Sequence, residues 1–142
     1  MIYTPKTKQA LKLCFAAHKE QTDKSGMPYV FHPFHLAEQM QTEDAVIVAL
    51  LHDVVEDSDY TLEDLTTMGF DPVITEALAL LTHDEDVPYM DYVRAIKENP
   101  LAKAVKLADL KHNSDISRLD TVDEAALARR EKYLQAMELL TK

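Results

Sequence analysis

Apolar residues recur along this chain at helical rather than alternating spacing, and one stretch has no polar face at all. Val46–Leu51 is apolar without a break, and Val54 and Val55 carry that surface past His52 and Asp53. A helix that is apolar all round belongs in the centre of a fold, so Val46–Asp57 is expected to be the buried helix around which the others pack. Ahead of it, Leu11, Cys14, Phe15 and His18 fall at helical spacing within Lys8–Lys19, and the turn-forming run Asp23-Lys24-Ser25-Gly26-Met27-Pro28 follows. Pro33 suits a first helical position, which sets His32 just before a helix carrying Phe34, Leu36, Ala37 and Met40. Thr42 is the expected N-cap of the central helix.

Beyond the central helix, Thr61-Leu-Glu-Asp reads as a capping box for a short helix stopped at Gly69. Asp71-Pro72 opens a helix patterned by Val73, Ile74, Ala77, Leu78 and Leu81, and Pro88 one striped by Tyr89, Tyr92, Val93 and Ile96. Asn99-Pro100 starts the next, and Thr121-Val-Asp-Glu has the form of a capping box for the last. No segment alternates with a period of two. The expected architecture is all-α, a single domain over residues 1–142 built as a bundle of about seven to nine helices.

Composition agrees and narrows the partners. Only 2 glycines in 142 residues leave little material for the tight turns of a hairpin-rich fold. A net charge of −10 and a sequence pI near 4.9 repel nucleic-acid backbones and anionic membranes, so an anionic ligand needs a local cationic site. Neither a nucleic-acid partner nor a membrane is expected, and a homo-oligomer is left open. The single cysteine, Cys14, excludes an intrachain disulfide and suits a reducing compartment. MIYTPKTKQA lacks an apolar core of signal type, and the longest apolar run is far below the roughly 20 residues of a membrane span. The expected location is cytoplasmic.

Chemistry concentrates at the end of the central helix. Helical geometry sets His52 over Glu56 and Asp53 over Asp57, crowding three carboxylates and an imidazole at a helix C-terminus, where the carbonyl dipoles favour cations. Buried unpaired carboxylates are costly, and a bound metal cation would resolve both conflicts. A second inward carboxylate is Asp109, one turn beyond Val105 on the stripe Leu101, Ala104, Val105, Ala108. With His32 these make a mixed nitrogen and oxygen donor set, His32, His52, Asp53 and Asp109, of the kind that suits Mn²⁺, Fe²⁺, Zn²⁺ or Mg²⁺. The plainer alternative has His52 as a helix-terminal cation satisfying Asp53, with Asp109 paired to Lys106.

Four ordered segments carry a family resemblance: Lys24–Pro33 (KSGMPYVFHP), Leu50–Asp57 (LLHDVVED), Asn99–Ala102 (NPLA), and Val105–Asp109 (VKLAD) with His112-Asn113. Together with Glu56, Asp57 and Thr61 in an EDxxxT arrangement, they resemble the HD-domain phosphohydrolases. Within that group they are similar to the alarmone hydrolase branch, related to the hydrolase domain of the RelA/SpoT proteins and to stand-alone small alarmone hydrolases. The resemblance implies an HD-type helical bundle with one divalent metal, usually Mn²⁺, held by His32, His52, Asp53 and Asp109. It implies that Glu56 and Asp57 work on the attacking water, that Lys24 and Asn113 contact the nucleotide, and that the reaction removes the 3′-pyrophosphate from guanosine tetra- or pentaphosphate. Tyr29, Lys106, Lys111 and Arg118 are further candidates to line an anion pocket. His18, His35, His83 and His112 receive no role.

One departure stands out. The family commonly has an arginine before Lys-Ser-Gly, placed against the guanine base, and here the residue is Asp23. Aspartate cannot stack as a cation and adds repulsion toward phosphate, so Asp23→Arg is expected to lower KM. Two rival readings follow: an HD phosphohydrolase of another nucleotide or phosphate ester, and a catalytically silent domain that binds a nucleotide or a protein.

Overall fold

The computed structural model describes residues 1–142 as nine α-helices and one 3₁₀ turn: α1 (Pro5–His18), α2 (Phe31–Glu38), α3 (Glu43–Leu51), α4 (Val54–Asp57), α5 (Leu62–Thr67), α6 (Pro72–Leu81), α7 (Tyr89–Lys97), α8 (Pro100–Asn113), η1 (Ile116–Arg118) and α9 (Glu124–Thr141). The all-helical expectation holds, and the only extended pairing is one antiparallel bridge between Thr22 and Pro28. Every residue of α3 from Ala45 to Leu51 is buried. It packs against α1, α2, α6 and α8, while α9 closes over α7 and α8. Because α3 has apolar side chains on all sides, it can serve four neighbours at once.

Local signals set most helix starts. Thr4 and Thr7 form a reciprocal capping box ahead of α1, Thr42 accepts from the Ala45 amide, and Thr61 and Asp64 cap α5 reciprocally. Asn99 caps α8 through the Ala102 amide. Gly69, with φ +95°, ends α5 in the left-handed region that glycine enters without strain.

Four local expectations need correction. The final helix is capped by Asp123, which accepts from the Ala126 amide, rather than by Thr121. Pro88 is the N-cap of α7 instead of its first residue. Helix α2 starts at Phe31, so His32 lies inside its first turn and Pro33 follows it. Most consequentially, Val46–Asp57 is not one helix. At His52 the ring Nδ1 sits 2.6 Å from the Ala49 carbonyl, and Asp53 departs from helical backbone at φ −109°, ψ 1° before α4 begins. The carboxylates Glu56 and Asp57 therefore fall in the first turn of a new short helix, where they agree with the backbone dipoles, and not at the end of a long one.

Cys14 is fully inside the core, and burial, with Asp53 nearby, pushes its thiol up to about 12. Only the thiolate attacks disulfides and alkylating agents. Native protein is expected to leave Cys14 unmodified by an aromatic disulfide reagent at pH 8, and the full thiol signal is expected only after denaturation. A fast native reaction would show that the core around α1 opens.

Candidate metal centre and adjoining pocket

Three helices deliver donor atoms to one buried point. His32 comes from the first turn of α2, His52 from the turn just past α3, and Asp109 from the third turn of α8. One ligand atom from each lies within 4.8 Å of the others. His32 Nε2 is 2.8 Å from Asp109 Oδ1, and His52 Nε2 is 3.5 Å from the same oxygen and 3.1 Å from Asp53 Oδ2. All three residues are at most 5% exposed.

The hydrogen bonds around the histidines constrain their tautomers. A carbonyl only accepts, so His52 Nδ1 must donate to Ala49, and Nε2 is the nitrogen aimed into the cluster. That Nε2 is buried without a hydrogen-bond partner. An imidazole lone pair facing two carboxylate oxygens is repulsive unless a proton or a metal cation lies between them. Burial opposes charge on His52, but Asp53 and Asp109 outweigh it and raise its pKa well above the ordinary value. The site thus calls for a positive charge at Nε2, and a backbone-anchored imidazole is the arrangement that metal ligands use. On the other histidine, His32 Nδ1 is 2.7 Å from His112 Nδ1, with the rings parallel. Burial, then Arg118, His32 and His35, push His112 down to about 4, so at neutral pH it is uncharged and able to accept from His32.

Asp109 serves two directions. Its Oδ1 faces the histidines and accepts from Asn113 Nδ2 at 2.9 Å, while Oδ2 accepts from Lys106 Nζ at 2.9 Å. Burial disfavours its charge, but Lys106 and the two histidines hold the carboxyl well below the usual range. The Lys106 pairing and the convergence with histidine coexist in one carboxylate.

Asp53 links this trio to a more open acidic group. One oxygen from each of Asp53, Glu56 and Asp57 lies within 4.8 Å of the others. Tyr29 donates its hydroxyl to Asp53 Oδ2, and Glu56 Oε1 accepts from the His83 amide at 2.7 Å. Burial, then Asp53 and Glu56, push the Asp57 carboxyl up to about 6. Glu56 and Asp57 are exposed, whereas the Asp53 side chain is only 20% exposed.

Alongside lies a cavity of about 390 Å³ lined by Lys24, Tyr29, Asn113, Arg118, Arg129 and Tyr133, among others. The predicted Lys24, Tyr29 and Asn113 therefore share one pocket, although Asn113 also spends a donor on Asp109. Lys106 sits behind Asp109 and Lys111 borders a separate apolar groove, so neither lines the pocket. Arg129 and Tyr133 were not anticipated as pocket residues: four apart on α9, they lie on its inward stripe with the buried Ala126, Ala136 and Leu140, and an arginine on that stripe was the available signal.

No family model matches the chain. Among curated proteins, a mouse guanosine-3′,5′-bis(diphosphate) 3′-pyrophosphohydrolase, MESH1, is 36% identical over 120 residues, which cover 73% of this chain and 66% of that protein. An Aquifex aeolicus guanosine-3′,5′-bis(diphosphate) 3′-pyrophosphohydrolase is 32% identical over 126 residues, covering 81% of this chain and 17% of that protein. A solved structure, described as a metazoan ortholog of SpoT that hydrolyzes ppGpp, superposes with a TM-score of 0.74 at 26% identity, covering 99% of this chain and 85% of that one.

The chain belongs to the HD-domain (p)ppGpp hydrolase family.

Within the (p)ppGpp hydrolase family the all-helical fold of this chain is thereby accounted for. The chain spans about two thirds of the length of the mouse relative, 66%, and a much smaller part of the bacterial one, 17%. Asp23 is resolved differently from the expectation. Its carboxylate accepts from the Ser25 amide at 2.9 Å, the Ser25 hydroxyl at 2.8 Å and the Met27 amide at 3.0 Å, and it faces Arg118 Nη2 at 3.4 Å. Burial opposes its charge, but those hydrogen bonds and Arg118 together outweigh it and hold the carboxyl below the usual range. Its charge is consumed inside the loop that carries Lys24, which removes the ground for expecting Asp23→Arg to lower KM. The substitution removes three acceptor contacts from that turn and sets one guanidinium against another. We expect KM for guanosine tetraphosphate, the compound named for the relatives and used as the assay substrate, to rise several-fold, measured by steady-state kinetics beside Asp23→Asn. A lower KM in Asp23→Arg would show instead that a cation at position 23 aids substrate binding.

Proposed function

We propose that the chain is a metal-dependent hydrolase that removes the 3′-pyrophosphate from guanosine tetra- or pentaphosphate. The observation that carries the metal part is His52 Nε2, buried, without a hydrogen-bond partner, and facing the Asp53 and Asp109 carboxylates. His32, His52, Asp53 and Asp109 would hold one divalent cation, and their mixed nitrogen and oxygen donors fit Mn²⁺. A cation there supplies Lewis acidity for water activation and offsets the charge on phosphate oxygens. The substrate part is supported by the names of the relatives and by a pocket that combines cations with aromatic and apolar walls.

The side chains divide the work. Asn113 and Lys106 fix the Asp109 carboxylate from two sides, and the Ala49 carbonyl fixes the His52 ring. Tyr29 orients Asp53 through its hydroxyl. Glu56 and Asp57 would orient the attacking water and take its proton, a role supported by their exposure and their closeness to Asp53. Glu56 is held in place by the His83 amide. Lys24 and Arg129 offer cations to phosphate groups in a chain whose net charge of −10 would otherwise repel them. No helix is long and apolar enough to cross a membrane. A cytoplasmic location and action as one domain complete the proposal.

Assaying Mn²⁺-loaded protein against guanosine tetraphosphate, guanosine triphosphate, adenosine nucleotides and a simple phosphate ester tests it. The expected result is strong preference for guanosine tetraphosphate. Preference for another compound would assign the site to a different phosphohydrolase, and tight binding without turnover would assign it to a silent binding domain.

A further inference from the structure

The pocket beside the metal centre is not uniformly basic, and its three cations differ in what they leave free. Lys24 and Arg129 line it without any ion pair to another side chain. Arg118 is tied at both ends of its guanidinium. Nη1 donates to the His112 carbonyl at 2.9 Å, and Nη2 faces Asp23 Oδ2 at 3.4 Å. The acceptors are themselves fixed: His112 lies in the last turn of α8, and Asp23 is locked by the Ser25 and Met27 donors. Arg118 therefore stands in a set plane, at 27% side-chain exposure, on the pocket wall.

A guanidinium binds phosphate best through a free fork of in-plane N–H groups. In Arg118 both terminal nitrogens already have partners, and the Asp23 carboxylate offsets its charge and repels an approaching phosphate. What it has left to offer is its flat face. Planar guanidinium faces stack on aromatic rings, including nucleobases. The apolar part of the lining is Ile116, Leu119 and Ala126, the first two within two residues of Arg118, and it suits an uncharged ring and not an anion.

We propose that Arg118, clamped by Asp23 and the His112 carbonyl, is the platform on which the purine base of the substrate stacks, with its anionic groups left to the unpaired Lys24 and Arg129. The inference rests on reading this pocket as a nucleotide site, and it makes Asp23 a positioning residue for base recognition. It does not depend on which bond is cleaved.

The test uses the Mn²⁺-loaded full chain and two separate probes, guanosine and inorganic pyrophosphate, with binding measured by titration calorimetry or NMR. Arg118→Ala and Arg118→Lys are each expected to weaken guanosine binding by about tenfold, the order seen when one stacking partner is lost, and to leave pyrophosphate binding within about twofold. Lysine keeps a cation within reach of Asp23 and the His112 carbonyl but has no flat face, so it separates stacking from loop support. Melting temperatures of both variants identify any loss of fold. With guanosine tetraphosphate as substrate, KM is expected to rise about tenfold with kcat nearly unchanged, because stacking is shared by ground and transition states.

Unchanged guanosine affinity in Arg118→Lys would overturn the proposal. So would loss of pyrophosphate affinity with guanosine retained, which is the signature of a phosphate clamp, and so would a wild-type protein that binds no guanosine. A wild type that binds guanosine through Arg118 yet does not cleave guanosine tetraphosphate would overturn the proposed activity and leave this inference standing.

Discussion

Asp109→Ala is expected to abolish metal binding and to lower the melting temperature by on the order of 10 °C. Both effects come from the double duty of one carboxylate. Its Oδ1 faces His32 and His52, so its loss removes the atom common to the donor set. Its Oδ2 is the partner of Lys106, whose side chain is 12% exposed and lies against the rings of Tyr89 and Tyr92. Removing one member of a buried ion pair strands the other, at a cost of roughly 3–5 kcal/mol. For a chain of this size each kcal/mol shifts the melting temperature by about 2–4 °C. Adding Lys106→Met to Asp109→Ala removes the stranded ammonium, and the double variant should regain most of the lost stability while remaining metal-free. Metal analysis and thermal melts of the three proteins check this, and equal metal content in wild type and Asp109→Ala would sink the ligand assignment.

Glu56→Gln should leave fold and metal content intact and lower turnover by roughly 10²–10⁴-fold, the usual worth of a general base. Glutamine keeps an oxygen that can accept from the His83 amide, so the geometry at the end of α4 survives the change. What is lost is a negative charge beside Asp53 and Asp57. Because Glu56 raises the Asp57 carboxyl, after burial and Asp53, its neutralisation should also bring the Asp57 pKa down from about 6. A pH–rate profile of Glu56→Gln then separates the two carboxylates: residual activity should persist to lower pH than in wild type. Turnover within a factor of a few of wild type would remove Glu56 from the reaction.

How far such residues can be read from a sequence depends on whether their signal is local. The apolar face pattern of α3, the caps Thr42, Thr61 and Asn99, and the inward position of Asp109 on α8 are set by neighbours within a turn or two, and all were legible. The break at His52 was not. It arises from a side chain bonding to the Ala49 carbonyl while its ring faces carboxylates on other segments, and helix periodicity carries no trace of that. Asp23 misled for the same reason. Judged alone it is a charge of the wrong sign beside Lys24, whereas in the fold its oxygens are occupied by Ser25, Met27 and Arg118, the last from 95 residues away. Spacing puts Arg129 and Tyr133 on the inward stripe of α9, but their meeting with Lys24 and the His32–His112 contact depend on how α2, α8 and α9 pack. Lys106 competes for Asp109 when the pair is judged by spacing, and in the fold its ammonium takes Oδ2 while Oδ1 faces the histidines.

Cleavage at the 3′ position should depend on the cation, and product analysis on chelator-treated protein is its most direct test. Protein stripped of metal, then given guanosine tetraphosphate with and without added Mn²⁺, is followed by ³¹P NMR. No turnover is expected without metal and, once Mn²⁺ is restored, conversion to guanosine 5′-diphosphate and pyrophosphate as the only products. Equal turnover with and without metal, or release of orthophosphate in place of pyrophosphate, would contradict it.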